Sequence, residues 1–442
     1  MRLATIAAAL ALLVGATGAS ASGAVVEATL DNGLRVLLLE DRRSPIVSVQ
    51  AWYRVGSRDE RPGATGLAHF LEHLMFKGTR AHGKGEFARL VEQSGGQDNA
   101  FTSQDVTAYY VDIAADRVDL VLRLEADRMR NLLLDPKEID AERAVVMEER
   151  RTRSEDDPEG ALSEELSAIA FKAHPYRWPT IGWMEDIRRV GPAEIRAFYD
   201  TYYVPNNALL VAVGDFDAPA LLERVRALFG PIPRGPAPPA VTAVEPAQSS
   251  ERRVSLRRAS ARLPSVSIAY HVPNHTSADA PALELLSTVL SEGRASRLYR
   301  TLVYEQQVAL DAGGDYAFGS RDPNLFWFYA TLQPGQAPEQ IEQALLREIE
   351  ALKTEPVPDE ELARAKNQIE AAFVWAQDSI HSRASNLARF ELMGSWRLLD
   401  RFVPAIRAVT AADLQRVART YFAPDAKSVG VLLPGASGGG DR

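Results

Sequence analysis

Two histidines and one glutamate stand close together in the stretch GLAHFLEHLMFKGT, residues 66–79. If residues 65–77 form a helix, His73 lies about 40° and Glu72 about −60° around the axis from His69, and the leucine and phenylalanine side chains face the opposite side. Histidines at positions i and i+4 of one helix can bind a single zinc ion. The glutamate between them is placed to act as a general base on water. The spacing therefore predicts a zinc-dependent hydrolytic site.

A catalytic zinc site needs a third protein ligand, and a second helix supplies candidates. The stretch DPKEIDAERAVVMEERR, residues 135–151, begins with Asp135 as N-cap and a proline at the first helical position, which predicts a helix. Glu142 and Glu149 are two helical turns apart and share one face, whereas Glu148 lies about 100° away. Spacing alone does not choose among these carboxylates.

A proline-rich segment, residues 230–250, separates two similar parts of the chain and predicts a linker. Pro45 in the first part and Pro264 in the second each introduce a strand of alternating apolar and polar residues. The segments that begin at Val190 and Val409 both predict a helix followed by a strand. The number of residues between these two segments is the same as the number between the two prolines. Two matches at one offset predict a duplicated domain.

Within each half the order of elements is strands, helices, one strand and further helices. This order favours an α+β fold in which each half is a mainly antiparallel β-sheet covered by helices on one face. We therefore predict an N-terminal domain at residues 22–229 that carries the HxxEH motif, a homologous C-terminal domain at residues 251–434, and a flexible tail at residues 435–442.

The N-terminal segment, residues 1–21, differs from the rest of the chain. Arg2 precedes the apolar run LATIAAALALLVGATG, and the sequence Ala-Ser-Ala at residues 19–21 fits a cleavage site, so residues 1–21 predict a secretory signal peptide. No later stretch reaches the roughly 18 apolar residues that a membrane span needs. The mature protein is therefore expected to be exported and soluble, and periplasmic if the source is Gram-negative.

The composition of the chain excludes several classes of function. A net charge of −9 offers no basic surface for nucleic acid, and no cluster of lysine and arginine makes one locally. The chain has no cysteine, which excludes a disulfide, a thiolate metal ligand and a cysteine nucleophile.

The order of ligands, HxxEH, is the inverse of the commoner HExxH and is the motif of the inverzincins. Over nearly all of its mature length the chain resembles the pitrilysin and mitochondrial processing peptidase family of zinc proteases. Its stretch GLAHFLEHLMFKGT matches the zinc helix of that family almost position for position. The resemblance implies that Glu149, whose distance along the chain from His73 is the one typical of the family, completes the zinc site. It also implies that Glu142 orients the ligands and that Glu72 is catalytic.

The same resemblance extends to three further segments. GGQDNAFTSQDVTAYY matches the family's edge strand, which implies that Asn99 and Ala100 hold the backbone of a peptide substrate. HPYRWPTIG, beginning at His174, and YYVPNNALLVAVGD are other landmarks of the family. With three ligands already assigned, we expect His174 to be structural.

The resemblance also implies two related domains with one Zn²⁺ per chain. Aligning the two halves places Glu284 and Thr288 where the first half has its histidines, and Ala371 where it has Glu149. The second domain is therefore expected to lack a metal site. The implied activity is endopeptidase cleavage of extended peptides or unfolded proteins, which would bind as an added β-strand.

One departure from the family concerns an arginine and a tyrosine that active members place near the zinc. The chain has Val303 and Leu310 at those positions, while Arg300 and Tyr304 are nearby but out of register. Some two-chain members place zinc on one chain and the Arg/Tyr pair on the other. We therefore expect a heterodimer whose homologous partner chain supplies the pair, or otherwise a homodimer.

Two other functions fit parts of the sequence. A non-catalytic assembly subunit that retains zinc would have no use for Glu72, which argues against it. A dedicated peptide-processing factor, such as one that matures a peptide-derived cofactor, would usually act in the cytoplasm, which disagrees with the predicted signal peptide. The zinc endopeptidase is the prediction carried forward.

Overall fold

The structure, a computed structural model, describes residues 24–435. The predicted signal peptide, residues 1–21, and all but the first residue of the predicted tail, residues 435–442, lie outside the described residues. Eleven strands are found in the described part: β1 Val26–Thr29, β2 Arg35–Glu40, β3 Ile46–Tyr53, β4 Gln97–Thr102, β5 Thr107–Ala114, β6 Ala208–Gly214, β7 Arg252–Arg258, β8 Ser265–Val272, β9 Ala309–Tyr316, β10 Asn324–Leu332 and β11 Lys427–Pro434.

Fourteen α-helices connect these strands within residues 24–435. They are α1 Leu67–Leu74, α2 Glu86–Gln93, α3 Val118–Asn131, α4 Pro136–Arg150, α5 Pro158–Ala170, α6 Met184–Arg189, α7 Pro192–Tyr202, α8 Ala218–Phe229, α9 Ala280–Ser291, α10 Pro338–Thr354, α11 Asp359–Trp375, α12 Ile380–Leu392, α13 Leu399–Ala408 and α14 Ala411–Tyr421.

The strands form two sheets with the same topology. The first has the order β1-β2-β6-β3-β5-β4 and the second has the order β7-β11-β8-β10-β9. The orders coincide strand for strand once β1 is set aside. In each sheet one pair is parallel, β2 with β6 and β7 with β11, and the other pairs are antiparallel. The predicted α+β fold with two homologous, mainly antiparallel halves is confirmed.

The predicted domain limits at residues 22–229 and 251–434 stay predictions. The last helix of the first half, α8, ends at Phe229, and the second sheet begins at Arg252. No helix or strand lies between those two positions in the described chain, as the prolines of the segment 230–250 lead one to expect.

Each sheet is covered on both faces, whereas the sequence predicted helices on one face. Side chains that alternate along β3 point to opposite sides. Val49 and the residues of β3 on the same side as Val49 pack on helices of the first half. Trp52, on the opposite side, packs on Leu387 of α12, a helix of the second half. The second sheet repeats the arrangement, because Leu166 of α5, a helix of the first half, packs on Ala269 of β8. The two halves therefore exchange one helix each.

Charged side chains join the same surfaces. Arg383 of α12 forms a buried ion pair with Asp41 of the first half. Arg35 of β2 places its Nε 2.7 Å from Oε1 of Glu391, also on α12. Together with the exchanged helices, these contacts bind the two halves over a wide area. None of the helices described is long and apolar enough to cross a membrane.

Candidate metal centre

The helix that carries both histidines is fixed at its first turn. Gly66 precedes α1 with φ = 84°, and a Cβ at this position would lie 2.4 Å from the carbonyl oxygen of Ile181, so only glycine fits. The buried carboxylate of Glu60 accepts hydrogen bonds from the N–H groups of Gly66 and Ala68, both at 2.7 Å. The helix spans Leu67–Leu74, so the assumed span of residues 65–77 is too long at both ends.

The predicted division of α1 into two faces is observed. Phe70 and Leu74 are buried in the core of the first half. His69 and His73 lie on the other side, with ring centroids 4.7 Å apart. One helix therefore presents two imidazoles from a rigid, packed support.

The second helix, α4, begins as predicted. Asp135 is its N-cap and accepts a hydrogen bond from the N–H of Lys137 at 2.8 Å. Because α4 packs on α1, the shared face of Glu142 and Glu149 turns toward the histidines. Glu148 points away and pairs with Arg151 at the surface. The packing of α4 on α1 therefore brings Glu149, and not Glu148, close to the histidines.

Three side chains converge to form a candidate metal site. The Nε2 atoms of His69 and His73 lie 3.7 Å and 3.3 Å from Oε2 of Glu149. One ligand atom from each residue lies within 4.8 Å of the others, and this is the only such group in the described chain. Two imidazoles and one carboxylate are the donor set of a catalytic zinc site, which leaves one position open. The residues therefore fit zinc.

The carboxylate of Glu142 fixes the orientation of one ligand. Its Oε1 lies 2.9 Å from Nδ1 of His73, and its Oε2 lies 2.6 Å from Nζ of Lys77. Burial raises the pKa of Glu142, but the hydrogen bonds from His73 and Lys77 outweigh it and hold that pKa below its usual value. An ionised carboxylate only accepts, so Nδ1 of His73 donates and Nε2 is free for a metal.

Burial and neighbouring charges shift the pKa values of the two histidines in opposite directions. It lowers the pKa of His69 to about 3, with help from the nearby charges of His73 and Arg153, so His69 is neutral as a ligand must be. Burial lowers the pKa of His73 too, but the hydrogen bond to Glu142 and the charge of Glu149 outweigh it and raise that pKa. His69 Nδ1 has no hydrogen-bond partner among the described residues.

Glu72 is held beside the cluster by a residue that the sequence did not single out. Its Oε2 accepts a hydrogen bond of 2.5 Å from Oγ1 of Thr102, the last residue of β4. Burial raises the pKa of Glu72, and the bond from Thr102 offsets part of the rise. A carboxyl group with a raised pKa, held near a metal site, suits proton transfer near neutral pH.

The predicted substrate-binding residues lie on an edge strand. β4 pairs with β5 on one side, and no other described strand pairs with its second side. Asn99 is exposed, and its Oδ1 accepts a hydrogen bond of 2.8 Å from the N–H of Ala100. A peptide that adds to this edge has to displace the side chain of Asn99 from that N–H.

Arg153 is a second residue that sequence analysis missed. It lies one turn beyond Glu149, where α4 widens into a π-helix, Arg151–Glu155, and its Nη2 lies 2.8 Å from Glu149 Oε1. The second carboxylate oxygen of the candidate ligand is therefore already bonded. The only signal in the sequence was the i,i+4 spacing from Glu149.

His174 lies outside the metal cluster. It is buried, and its Nε2 lies 3.0 Å from Asp322 of the second half.

Val303 and Leu310, at the positions where active family members have the Arg/Tyr pair, both lie in the second half. Val303 is in a π-helical segment, Tyr299–Glu305, and the exposed Leu310 is on β9.

Two protein-family models match successive parts of this chain. Residues 35–182 match the model of the insulinase family, peptidase family M16, and residues 189–369 match the model of the M16 inactive domain. The zinc protease PqqE of Helicobacter pylori is 33% identical over 408 residues, 92% of this chain and 91% of the relative. The chain belongs to peptidase family M16. An uncharacterized zinc protease of Mycobacterium tuberculosis is 31% identical to this M16 chain over 88% of it and 89% of the relative.

Solved structures show the same fold. A protease from Helicobacter pylori superposes with a TM-score of 0.90 at 31% identity, covering 93% of this M16 chain and all of that structure. In the second half, α9 carries Glu284 and Thr288 at the positions that align with the histidines, and α11 carries Ala371 at the position that aligns with Glu149. The model of the inactive domain matches residues 189–369, which include α9. No second metal cluster occurs among residues 24–435.

Proposed function

We propose that this chain is a zinc-dependent metalloendopeptidase that cleaves extended peptides or unfolded proteins. The observation that carries the proposal is the convergence of His69, His73 and Glu149 within 4.8 Å, with Glu72 on the same helix as the histidines. The two relatives described above are named zinc proteases, which supports the choice of metal and reaction. We propose one zinc ion per chain, because no other cluster of three such ligands lies in the described residues.

When bound, zinc supplies a Lewis acid that polarises a carbonyl group and lowers the pKa of water. The carboxylate of Glu72 takes a proton from the attacking water and returns it to the nitrogen of the leaving amine. Thr102 orients that carboxylate through its hydrogen bond of 2.5 Å. Glu142 keeps the imidazole of His73 in the tautomer that leaves Nε2 free.

The substrate is proposed to bind at the open edge of β4. An added strand is held by main-chain hydrogen bonds, which tolerate many side chains but require an extended backbone. Asn99 and Ala100 are exposed or partly exposed on this edge, on the strand that ends at Thr102. Folded domains do not offer such a backbone, so the enzyme is expected to act on short or unfolded chains.

A homologous partner chain is proposed to complete the site. Val303 and Leu310 offer no polar hydrogen to the oxyanion that peptide hydrolysis creates, and one such donor is typically worth about 3 kcal/mol. A partner of the same fold that carries an arginine and a tyrosine at these positions would supply the donors, and a homodimer is the alternative. From residues 1–21 we also propose that the enzyme is exported, and periplasmic if the source is Gram-negative.

Substitution of the base separates catalysis from metal binding. Glu72→Gln should keep zinc and fold while losing cleavage of an unfolded substrate by several orders of magnitude, because only the proton acceptor is removed. His73→Ala should lose most of the zinc, measured by metal analysis after dialysis. Unchanged turnover by Glu72→Gln would overturn the assignment of Glu72 as the base, and stoichiometric zinc in His73→Ala would overturn the ligand assignment.

The partner is tested by expressing the chain alone and together with a homologue that has the Arg/Tyr pair but lacks HxxEH. The pair of chains should cleave a casein-like substrate roughly a hundred times faster than the isolated chain, which is about the effect of one lost oxyanion donor. Full activity from the isolated, monodisperse chain would refute the need for a partner. It would leave the zinc assignment untouched, because metal content is measured separately.

A further inference from the structure

A large cavity lies between the two halves, apart from the metal centre. Its volume is about 900 Å³, within the range of ligand pockets in proteins. Helices α9 and α11 of the second half form one wall, and the ends of β3 and β4 form the other. Glu284 and Thr288, which align with the two histidines, line it, whereas none of the metal-site residues does. In the second half, the positions that align with the two histidines therefore face a cavity.

Aromatic rings make up much of the wall. Trp52 and Phe101 of the first half meet edge to face, with centroids 5.3 Å apart. Phe402 of the second half contacts the rings of Phe318 and Phe373 at 5.3 Å and 5.6 Å. This part of the lining suits an apolar or aromatic body.

Three arginines face the same cavity without a partner. Arg54 is partly buried, and Arg321 and Arg389 are exposed at its border. Among the described residues, none of their guanidinium groups makes an ion pair or a hydrogen bond. Glu391, whose charge acts on Arg54, is bonded to Arg35 instead. A cation partly removed from water without a partner is unfavourable, so an anion bound beside Arg54 would be stabilising.

Three carboxylates also line the cavity, those of Asp105, Glu284 and Glu292, but none of them forms an ion pair with these arginines. Asp105 accepts a hydrogen bond of 2.7 Å from the hydroxyl of Tyr176 and lies beside the buried Arg58. Burial raises the pKa of Glu284 to about 7, so this group is largely uncharged at slightly acidic pH. Arg54 therefore remains without an ion-pair partner among the residues that line the cavity.

From this arrangement we propose that the cavity binds an apolar carboxylate, with the carboxylate on Arg54 and the apolar body among the aromatic rings. Arg321 and Arg389, which also line the cavity, attract the anion through their charge. Two sources offer this chemistry, the C-terminus of an apolar peptide and a free fatty acid. The site is separate from the zinc site, so its existence does not depend on the proposed peptidase activity.

Calorimetric titration of the zinc-loaded full chain tests the proposal with two pairs of probes. The first pair is decanoate and decanol, and the second is a short apolar peptide with a free C-terminal carboxylate and the same peptide as its amide. In at least one pair the acid should bind about tenfold tighter than its uncharged analogue, equivalent to about 1.4 kcal/mol. The pair with the larger ratio identifies the source.

Variants assign the effect to the cavity. Arg54→Gln should abolish the preference for the acid, Arg54→Lys should keep part of it, and the exposed Arg42→Gln should keep all of it, with circular dichroism confirming that each is folded. His73→Ala should also keep it, since a carboxylate bound to zinc would lose its site in that variant. Equal binding of acid and analogue, an unaffected Arg54→Gln, or loss of binding in His73→Ala would each overturn the proposal.

Discussion

Glu142 is expected to set the affinity for zinc without touching the metal. Its two oxygens receive one hydrogen bond from Nδ1 of His73 at 2.9 Å and one from Nζ of Lys77 at 2.6 Å. The carboxylate is buried, so it makes both bonds away from bulk water. We predict that Glu142→Gln weakens zinc binding moderately and that Glu142→Ala weakens it further.

The magnitudes follow from the kind of bond that is lost. A hydrogen bond to a charged group contributes about 1.5–3 kcal/mol and a neutral one about 0.5–1.5 kcal/mol. The amide of Glu142→Gln still accepts from one donor, so the loss is about 1 kcal/mol, or roughly fivefold in zinc affinity. Glu142→Ala leaves His73 free to rotate, and the loss should approach the hundredfold limit seen for groups that orient metal ligands, about 2.7 kcal/mol.

Competition with a chromophoric zinc chelator measures these affinities directly. Glu148→Gln is the matched control, because Glu148 belongs to the same helix but pairs with Arg151 at the surface. An unchanged affinity in Glu142→Ala, or an equal loss in Glu148→Gln, would show that the orientation of His73 does not depend on Glu142.

Three further predictions concern charges near the site and between the halves. Arg153→Ala should change zinc affinity by less than about threefold in the same competition assay, because an exposed i,i+4 pair with Glu149 contributes only about 0.3–0.5 kcal/mol. Glu284→Gln should stabilise the protein more at pH 8 than at pH 5 in urea unfolding. The pKa of Glu284 rises from 4.5 to about 7 on folding, so its contribution to stability falls as pH rises through this window, by at most about 3 kcal/mol. Arg383→Ala should lower the free energy of unfolding by about 3 kcal/mol, since it leaves Asp41 buried with one partner fewer.

Each of these results has a contrary outcome. A tenfold loss of zinc affinity in Arg153→Ala would show that the guanidinium of Arg153 holds the carboxylate of Glu149 in position. A pH-independent effect of Glu284→Gln would show that the carboxyl group titrates normally. A loss in Arg383→Ala no larger than that of the exposed Arg61→Ala would show that the contact between the halves is weak.

The sequence predicted those features that depend on local periodicity. The faces of α1 and α4 follow from spacing along a helix, so the placement of His69 and His73 on one side of α1 could be predicted before any tertiary contact was known. The duplicated topology followed in the same way, from two matches at a single offset. Choosing Glu149 over Glu148 required either the family resemblance or the packing of α4 on α1, since both lie on the same helix.

Features that depend on distant contacts were not predicted. Glu60 caps α1 from well before Gly66, outside the positions where a capping residue is expected. Thr102 reaches Glu72 only because β4 lies beside α1, and nothing in its own segment marks it. The exchange of α5 and α12 was missed because an apolar helix face does not reveal which sheet it will cover.

That exchange makes the molecule equivalent to a domain-swapped pair whose two copies are tethered by residues 230–250. Each copy completes its partner by donating a helix, as in a dimer in which an identical element is traded. Neither copy can bury both faces of its sheet alone, so the two are expected to unfold in a single cooperative transition. A protease that cuts the tether would release nothing: the two fragments would stay associated, and the metal centre would survive the nick.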